Sequence, residues 1–511
     1  MKKKFYLESI FLIFLGVLTS LSLPPFNYII INFLTFSFFY IFLIKKSENY
    51  KNKKEFFLYG WLFGFGYFVS NIYWISISLT FDKNFNFLIP FAIILVPGFI
   101  ALFYAFVAYL FIILKPKKNL SSFFLFSLIF GILEFLRGSI FTGFPWNLIA
   151  YSFSNQLEIL NIISIIGTYS FNLFCISLFT SPSLFILREN KKDISVCVAL
   201  LITMISFYIF GSQNLANLNK IKEQKLDFKI RIISSNINID RFYNNVNPIS
   251  AIEELIKISS PQKNEKIIFI WPEGIIPGIS KDQLKNYKWL FKNKFSENHL
   301  LAIGINSKEN ENSYVKYYNS LSIFDHNLNI MNTYNKINLV PFGEFLPFEK
   351  ILNSIGLKTI TNNYQSYSKG EKRDIIDLNY NNFSLKILPL ICYEIIYSGK
   401  IFNTNNFDFI INISEDGWFG KSIGPDQHFT HSIYRAIESG KYVLRSANNG
   451  ISAIINPLGV IEQKLDINET GYIDLTESIK IKTTLFARYG NKIFGLIILL
   501  YIFLIFSFKK L

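Results

Sequence analysis

The feature that most constrains this chain is a series of apolar segments, each about as long as a membrane-crossing helix. A bilayer core about 30 Å thick is crossed by roughly 20 apolar residues in a helix. Hydrophobic residues make up 51% of the chain, more than one soluble core would bury. The sequence therefore predicts a bundle of eight transmembrane helices, over 5–23, 28–44, 56–78, 87–114, 121–141, 159–187, 194–211 and 491–508.

Basic residues lie in clusters between these segments. The net charge of +15 alone is compatible with binding of nucleic acid, binding of anionic lipid, or membrane topology. The clusters occupy every second loop, as expected if all these loops face the cytoplasm, so no nucleic-acid partner is indicated. We expect both termini in the cytoplasm and residues 213–490 outside it. The clusters are Lys2, Lys3 and Lys4; Lys45, Lys46, Lys51, Lys53 and Lys54; Lys115, Lys117 and Lys118; and Arg188, Lys191 and Lys192.

The long polar stretch has the pattern of an α/β domain. Short Ile-rich runs of strand length alternate with segments rich in Asn, Lys, Asp and Gly, and 251–259 and 427–439 have a helical pattern. The predicted domains are a membrane domain over 1–212, an extracytoplasmic α/β domain over 213–490 and a last transmembrane helix over 491–511. The strand-like runs are 229–233, 266–270, 300–305, 320–324, 384–391, 407–413 and 450–455.

Three residues with reactive or charged side chains each follow a strand-like run. Glu273 follows 266–270, Lys336 follows a β-rich stretch, and Cys392 follows 384–391. Open α/β folds gather their sites at the carboxyl ends of strands. A carboxylate, an ammonium and a thiol are what acyl transfer through a thioester requires. Taken singly, a cysteine at the end of an apolar run is more typical of a buried core residue. A lone glutamate or lysine is more typical of the solvated surface.

Other kinds of site are not indicated. Only three cysteines occur, two of them, Cys175 and Cys197, in apolar segments, so we expect no disulfide framework. His428 and His431 are three apart on a predicted helix, without a Cys or further His beside them. We expect them to pack or to lie on the helix surface rather than to bind metal. Neither a GxSxG nor an HExxH motif is present, and no cofactor is expected.

The motifs around these three residues carry a resemblance. Trp-Pro-Glu ending at Glu273, Tyr-Asn-Lys ending at Lys336 with Pro-Phe-Gly-Glu ending at Glu344, and Cys-Tyr-Glu starting at Cys392 resemble the nitrilase, or carbon–nitrogen hydrolase, superfamily. With seven spans before such a domain and one after it, the chain resembles the apolipoprotein N-acyltransferase family. Residues 142–147 and 445–453 add to the likeness, which extends over nearly the whole chain.

The resemblance implies a fold and a set of roles. The α/β domain would be an αββα sandwich, with Glu273 as general base, Lys336 as oxyanion-stabilising cation and Cys392 as nucleophile. Glu344, Tyr393 and Glu394 match positions that support the active site. The family implies a phospholipid as acyl donor and the N-terminal S-diacylglyceryl-cysteine of a lipoprotein as acceptor. It also implies a multi-pass protein of the bacterial inner membrane, with the catalytic domain in the periplasm, and we expect a monomer among membrane lipids.

Three positions depart from the family pattern. Glu415 stands before Asp416 where the family has Asn-Asp ahead of a Trp-Phe-Gly turn. Ser235 lies in Ser-Ser-Asn-Ile in place of Gln-x-Asn-Ile, and Phe242 stands where an aromatic anchor, usually Trp, is expected. These departures concern the loops around the site more than its chemistry.

Ionisable residues inside a span are costly, and the fifth predicted span contains two. Glu134 and Arg137 lie three apart on one helical face, so we expect them to pair inside the bundle; contact with a substrate headgroup is the alternative. Trp146 follows the same span and is a candidate substrate contact or an interfacial aromatic residue.

Two other functions are compatible with parts of the sequence. A membrane-tethered amidase of the nitrilase type would share the three reactive residues but pass the thioester to water. A non-enzymatic transporter or receptor would use the α/β domain to bind a ligand, and would need more charged or broken helices than this chain shows.

Overall fold

The computed structural model describes residues 2–49, 52–243, 247–311, 314–354, 366–381, 383–401 and 406–510. Within these residues seven helical stretches are long and apolar enough to cross a membrane. Most of the first predicted span, 5–23, lies in a further helix, Lys2–Ser20, which is not one of those seven. The N-terminal helices are α1 Lys2–Ser20, α2 Ile30–Asn49, α3 Glu55–Ile72, α4 Ile89–Leu114, α5 Asn119–Arg137, α6 Leu157–Leu160, α7 Ile163–Thr180, α8 Ser183–Ile186 and α9 Lys191–Ala216.

Several membrane spans differ in detail from the helices predicted from the apolar segments of the sequence. The third continues from α3 into a 3₁₀ helix, Tyr73–Thr80, and the predicted sixth span is divided among α6, α7 and α8. Inside α7, Gly167 has a φ of 74°, and a Cβ there would lie 2.0 Å from the Phe486 ring. Only glycine combines that backbone conformation with so close a neighbour. Hydropathy reports the apolar composition of such a segment but not its breaks.

The helices of the membrane domain pack closely where they carry glycine. A Cβ on Gly16 of α1 would lie 2.1 Å from the Phe63 carbonyl oxygen of α3, and one on Gly66 would lie 2.2 Å from that of Ile13. Helices in lipid associate through such close van der Waals contact because apolar burial gives little driving force there. The rest of this core is largely aromatic, as in the stacked rings of Phe39 and Phe63, whose centroids are 4.2 Å apart.

The α/β domain contains two six-stranded sheets and a hairpin. The first sheet has the order β14-β1-β2-β3-β6-β7, and the second has the order β13-β12-β11-β10-β9-β8. The strands β1, β2 and β3 are parallel, as are β9, β10 and β11. The strands are β1 Gln224–Ser234, β2 Ile267–Trp271, β3 His299–Gly304, β4 Ser307–Glu311, β5 Tyr314–Tyr318, β6 Ser320–Asp325, β7 Ile330–Asn335, β8 Ile376–Tyr380, β9 Phe383–Ile391, β10 Phe409–Glu415, β11 Tyr442–Asn448, β12 Ser452–Ile455, β13 Ile461–Leu465 and β14 Gly471–Ser478.

The two sheets face each other and helices cover their outer faces. Alternate residues such as Ile230 and Ile270 of the first sheet share one apolar core with Ile387 and Ile411 of the second. The helices of this half are α10 Pro248–Ser259, α11 Lys288–Phe291, α12 Glu349–Ser354, α13 Gly424–Ser439, α14 Leu485–Tyr489 and the last predicted span, α15 Lys492–Lys510. Helices α10 and α11 pack on the first sheet, and α13 lies between the second sheet and the membrane helices. The predicted membrane bundle with an αββα sandwich is confirmed.

Candidate active site

The predicted reactive residues meet between the two sheets, where several strands end. Glu273 lies two residues after β2 and Lys336 directly after β7 of the first sheet. Cys392 directly follows β9 of the second sheet, and β10 ends beside them at Glu415. Because these four strands end at one edge of the sandwich, residues from distant parts of the chain converge.

Lys336 lies between two carboxylates. Its Nζ is 3.1 Å from Oε1 of Glu273 and 2.9 Å from Oε1 of Glu344. Asn319 also donates to both carboxylates, at 2.6 Å and 2.7 Å. The second oxygen of Glu273 accepts the backbone N–H of Glu415 at 2.9 Å. These contacts fix the orientation of both carboxylates, and sequence reasoning had missed Asn319.

The charges of this cluster depend on one another. Burial opposes the positive charge of Lys336, but the carboxylates of Glu273 and Glu344 outweigh it and raise the pKa of the ammonium well above its ordinary value. Burial also raises the pKa of Glu344, against the lowering effect of Lys336. Lys336 is therefore a permanent cation in the site, able to stabilise a developing oxyanion.

Cys392 begins a 3₁₀ turn, Cys392–Ile396, with a φ of 48°. A positive φ is rare for a side chain of this kind and gives a sharp change of direction between strand and turn. Burial, and then the charge of Glu273, raise the pKa of the Cys392 thiol well above its usual range, while Lys336 acts in the opposite direction. The resting thiol thus keeps its proton at neutral pH and requires a base to become a nucleophile.

Glu394 connects the Cys392 turn to the Lys336 loop. It is fully buried, and its carboxylate accepts the backbone N–H groups of Ile337, Asn338 and Ile391, at 2.9, 3.1 and 2.9 Å. It also accepts hydrogen bonds from the Tyr334 hydroxyl and the Arg373 guanidinium, at 2.8 Å and 2.6 Å. One carboxylate therefore holds the backbone on both sides of the predicted site.

We expect Glu394→Gln to lower the free energy of unfolding by about 3–5 kcal/mol, because Arg373 would lose its partner while buried. Burial opposes the charge of Glu394, but Arg373 and the backbone N–H groups hold its pKa below the ordinary value. A lowered pKa stabilises the folded protein above the unfolded pKa, and that stability is lost as the pH falls. The gap in thermal midpoint between wild type and variant should be full at neutral pH and narrow below about pH 4. Equal midpoints at neutral pH would contradict this role.

A buried polar cluster lies behind Cys392. The His428 ring is 2.8 Å from Asp416 through Nδ1 and 3.2 Å from the Cys392 carbonyl oxygen through Nε2, and Arg445 donates to Asp416 at 2.7 Å. Burial favours the protonated form of Asp416, but Arg445 and His428 outweigh it and hold the pKa of this carboxyl group below its ordinary value. His428 and His431 are both buried in α13, so the surface alternative is wrong for them. No cluster of His, Cys, Asp or Glu that could hold a metal occurs among the described residues.

The Cys392 turn also contacts the membrane domain. The Tyr393 hydroxyl donates to the Gly143 carbonyl at 2.8 Å, and the Tyr397 hydroxyl donates to the Thr142 carbonyl at 2.8 Å. Trp146 of the same loop donates from Nε1 to the Gln427 side chain of α13 at 2.8 Å. Trp146 is 3% exposed, so it is not an interfacial aromatic residue as one interpretation held. These bonds fix the loop that follows α5 against the predicted site.

The predicted pairing of Glu134 with Arg137 is present. The two form a buried ion pair, and Arg137 also donates to the carbonyl oxygens of Phe144 and, at 3.2 Å, Asn147. The pair thereby holds the loop that carries Trp146 and Gly143. A contact of this pair with a substrate headgroup stays a prediction.

The sequence is similar over nearly its whole length to a group of bacterial proteins. A family described as "Apolipoprotein N-acyltransferase N-terminal domain" matches residues 15–180, and one described as "Carbon-nitrogen hydrolase" matches residues 247–480. The apolipoprotein N-acyltransferase of Rickettsia prowazekii (strain Madrid E) is 32% identical over 500 residues, covering 95% of each chain. That of Rickettsia bellii (strain RML369-C) is 33% identical over 511 residues, covering 98% of this chain and 97% of the relative.

The chain belongs to the apolipoprotein N-acyltransferase family. The resemblance predicted from the sequence is thereby confirmed. Among solved structures, Nit3 of Saccharomyces cerevisiae, a member of branch 10 of the nitrilase superfamily, is 19% identical with a TM-score of 0.33. That match covers 49% of this chain and 90% of Nit3. The named relatives do not favour the alternatives of a tethered amidase or a transporter.

The structure gives the departures from the family pattern a physical setting. Glu415 forms a buried ion pair with Arg241, so a charge where the family has Asn is met by a counter-charge. Ser235 donates to the Asn448 side chain at 2.8 Å. Phe242 stacks on Trp418, with ring centroids 5.2 Å apart, and its ring lies 3.3 Å from the position of a Cβ on Gly274. All three positions therefore have partners close to Glu273 or Cys392.

Proposed function

We propose that this chain transfers a fatty acyl group from a phospholipid to the α-amine of the N-terminal S-diacylglyceryl-cysteine of lipoproteins, through a thioester on Cys392. The observation that carries the proposal is the contact between the Cys392 turn and the membrane domain, where Tyr393 donates to the Gly143 carbonyl at 2.8 Å. A thiol held this close to membrane helices suits substrates that both reside in lipid. Relatives named for apolipoprotein N-acylation support the same substrates.

The first half-reaction forms the thioester. Glu273 accepts the proton of the Cys392 thiol as the sulfur attacks the ester carbonyl carbon of the phospholipid. Lys336 and the backbone N–H of Tyr393 stabilise the oxyanion, since the first N–H groups of a helical turn have no partner within the turn. The tetrahedral intermediate then collapses with cleavage of the acyl carbon–oxygen bond. Glu273 returns the proton to the leaving oxygen, and the lyso-phospholipid departs.

The second half-reaction consumes the thioester. The lipoprotein α-amine attacks the acyl carbon, and Glu273 takes a proton from the amine. The acyl carbon–sulfur bond then breaks as the amide forms, and Glu273 returns the proton to the sulfur, which regenerates the Cys392 thiol. The same cation and N–H group hold the oxyanion, so one site serves both halves in a ping-pong sequence. Neither half requires a cofactor or metal.

The proposed location follows from the basic clusters of the sequence. We propose that the N- and C-termini lie in the cytoplasm and the α/β domain in the periplasm, an orientation that the basic clusters support. The bacterial inner membrane is proposed from the resemblance to the family. Because every group named in the two half-reactions belongs to one chain, we propose that a monomer, surrounded by membrane lipids, suffices for activity.

Intact-mass analysis tests the proposal directly. Purified protein given phospholipid without acceptor should gain the mass of one fatty acyl group, because the thioester accumulates when no amine is present. Cys392→Ala should gain no mass, and Cys175→Ala should gain the same adduct as wild type, since that thiol is buried among apolar residues. Addition of a diacylglyceryl-modified peptide should discharge the adduct to an N-acylated peptide. Release of free fatty acid alone would contradict the proposal.

A further inference from the structure

We propose that Arg241 and Glu415 act together as a positioning pair that orients the carboxylate of Glu273. The proposal rests on the role of Glu273 as base in the proposed function and adds two residues to it. Neither residue touches the reacting atoms; both act through Glu273 and the residue after it. Their side chains are each 1% exposed, and their charges are paired inside the α/β domain.

Glu415 contacts Glu273 through its backbone. Its N–H donates to Oε2 of Glu273 at 2.9 Å, while the other oxygen of Glu273 contacts Lys336 and Asn319. The position of that N–H depends on the Glu415 side chain, which accepts hydrogen bonds from Arg241, from Asn448 at 2.8 Å and from the backbone N–H of Gly417 at 2.9 Å. The side chain thus fixes the end of β10 at the point where it meets the base.

Arg241 contacts the chain on the other side of Glu273. It donates from Nε to the carbonyl oxygen of Gly274, the next residue, at 3.3 Å. It also donates to the carbonyl oxygens of Ile237 and Asn238, at 3.3 and 3.2 Å. Its guanidinium lies 4.4 Å from the centroid of the Phe242 ring. One side chain therefore joins the loop after β1, the loop of Glu273 and the end of β10.

The charges of the pair depend on each other. In the family pattern the position of Glu415 is a neutral Asn, so the charge of Glu415 in this chain requires a counter-charge, which Arg241 supplies. Removal of one partner leaves the other buried without a counter-charge, whereas removal of both leaves no unpaired charge. A lone Arg241 charge would also lie unbalanced beside the loop that carries Glu273.

Other charged and titratable groups face Glu273 and stay unchanged in the test variants. They are Lys336 and Glu344 from the β7 side and Cys392 from the β9 turn, with Asp416, His428 and Arg445 behind that turn. A shift in the pH dependence of acylation between variants therefore reports on the Arg241–Glu415 pair.

The test is the rate of acyl-adduct formation on Cys392, measured by intact mass in a single turnover from mildly acidic to alkaline pH and expressed per folded protein. Glu415→Gln should lower the rate by roughly 10- to 100-fold, as expected for a misplaced base. Its half-maximal pH should move downward, because an unpaired positive charge then lies beside the reacting groups. The double variant Arg241→Met/Glu415→Gln should return the pH profile to the wild-type position and regain part of the rate.

A matched control removes one partner of another ion pair of the α/β domain, away from the predicted site. Asp474→Asn removes the partner of Arg231, which is 3% exposed and bound to Asp474 at 2.7 Å in the paired strands β1 and β14. It should lower the thermal midpoint but leave the acylation rate and pH profile of the folded protein unchanged. Arg241→Lys, useful if Glu415→Gln does not fold, keeps both charges but cannot reach three carbonyls, so the rate should fall severalfold at an unchanged half-maximal pH.

The outcomes separate this proposal from the one on which it rests. A wild type without an acyl adduct would overturn the proposed function and the positioning role with it. A normal wild-type adduct, with Glu415→Gln and Arg241→Lys both acylating at the wild-type rate and pH profile, would overturn the positioning role alone. A double variant no better than Glu415→Gln in its pH profile would also overturn it.

Discussion

Glu273→Gln is expected to slow thioester formation on Cys392 by about 10³-fold at neutral pH, because the thiol loses the proposed acceptor of its proton. Burial raises the pKa of the thiol well above its usual range, so few molecules carry a thiolate without that base. The remaining activity of the variant should rise about tenfold per pH unit through the neutral range, as the thiolate fraction grows. Wild type should instead reach a plateau. Single-turnover intact-mass measurements across pH would show both profiles.

The control for this variant is the same substitution at a surface ion pair. Glu265→Gln removes the partner of Lys229, where both side chains are more than 30% exposed, and should acylate like wild type. A Glu273→Gln protein that acylates within tenfold of wild type, with a pH plateau, would show that another group accepts the thiol proton.

The three reactive residues could be found from the sequence because each lies next to a strand end. Strand-like runs are visible locally, and the strands of such a sheet bring their ends to one edge, so Glu273, Lys336 and Cys392 were expected to be neighbours. Asn319 gave no such signal. It lies between β5 and β6, and its contacts with Glu273 and Glu344 join residues 46 and 25 positions apart. Only the register of the sheet brings these side chains together.

The local sequence pattern does not predict the buried environment of α13. Its polar residues are typical of a helix with one solvated face, yet they are buried because the membrane helices cover that face. Glu438 accepts hydrogen bonds from Thr168 and Ser398 at 2.6 Å each, and Arg435 donates to Thr168 at 2.9 Å. A sequence shows how polar a helix is, but the partners of those groups lie in another domain, as Thr168 does, or elsewhere in the same one, as Ser398 does.

The arrangement of Lys336 suggests the second large effect. It is the cation between two buried carboxylates, and Lys336→Met would leave Glu273 and Glu344 facing each other without it. We expect thioester formation to slow by roughly 10²- to 10³-fold from loss of oxyanion stabilisation. We also expect the free energy of unfolding to fall by about 3–5 kcal/mol at neutral pH, since two like charges remain buried.

The loss of stability should depend on pH in a defined direction. Burial already raises the pKa of Glu344, and loss of Lys336 would raise it further. A carboxyl group whose pKa is raised in the folded state stabilises that state at low pH and loses this contribution as the pH rises. Lys336→Met should therefore approach the wild-type thermal midpoint in acid and fall furthest below it in alkali. Lys372→Met, at a side chain 73% exposed, is the matched control and should follow wild type at every pH. A Lys336→Met protein with a constant deficit across pH would mean that the two carboxylates are not coupled through this cation.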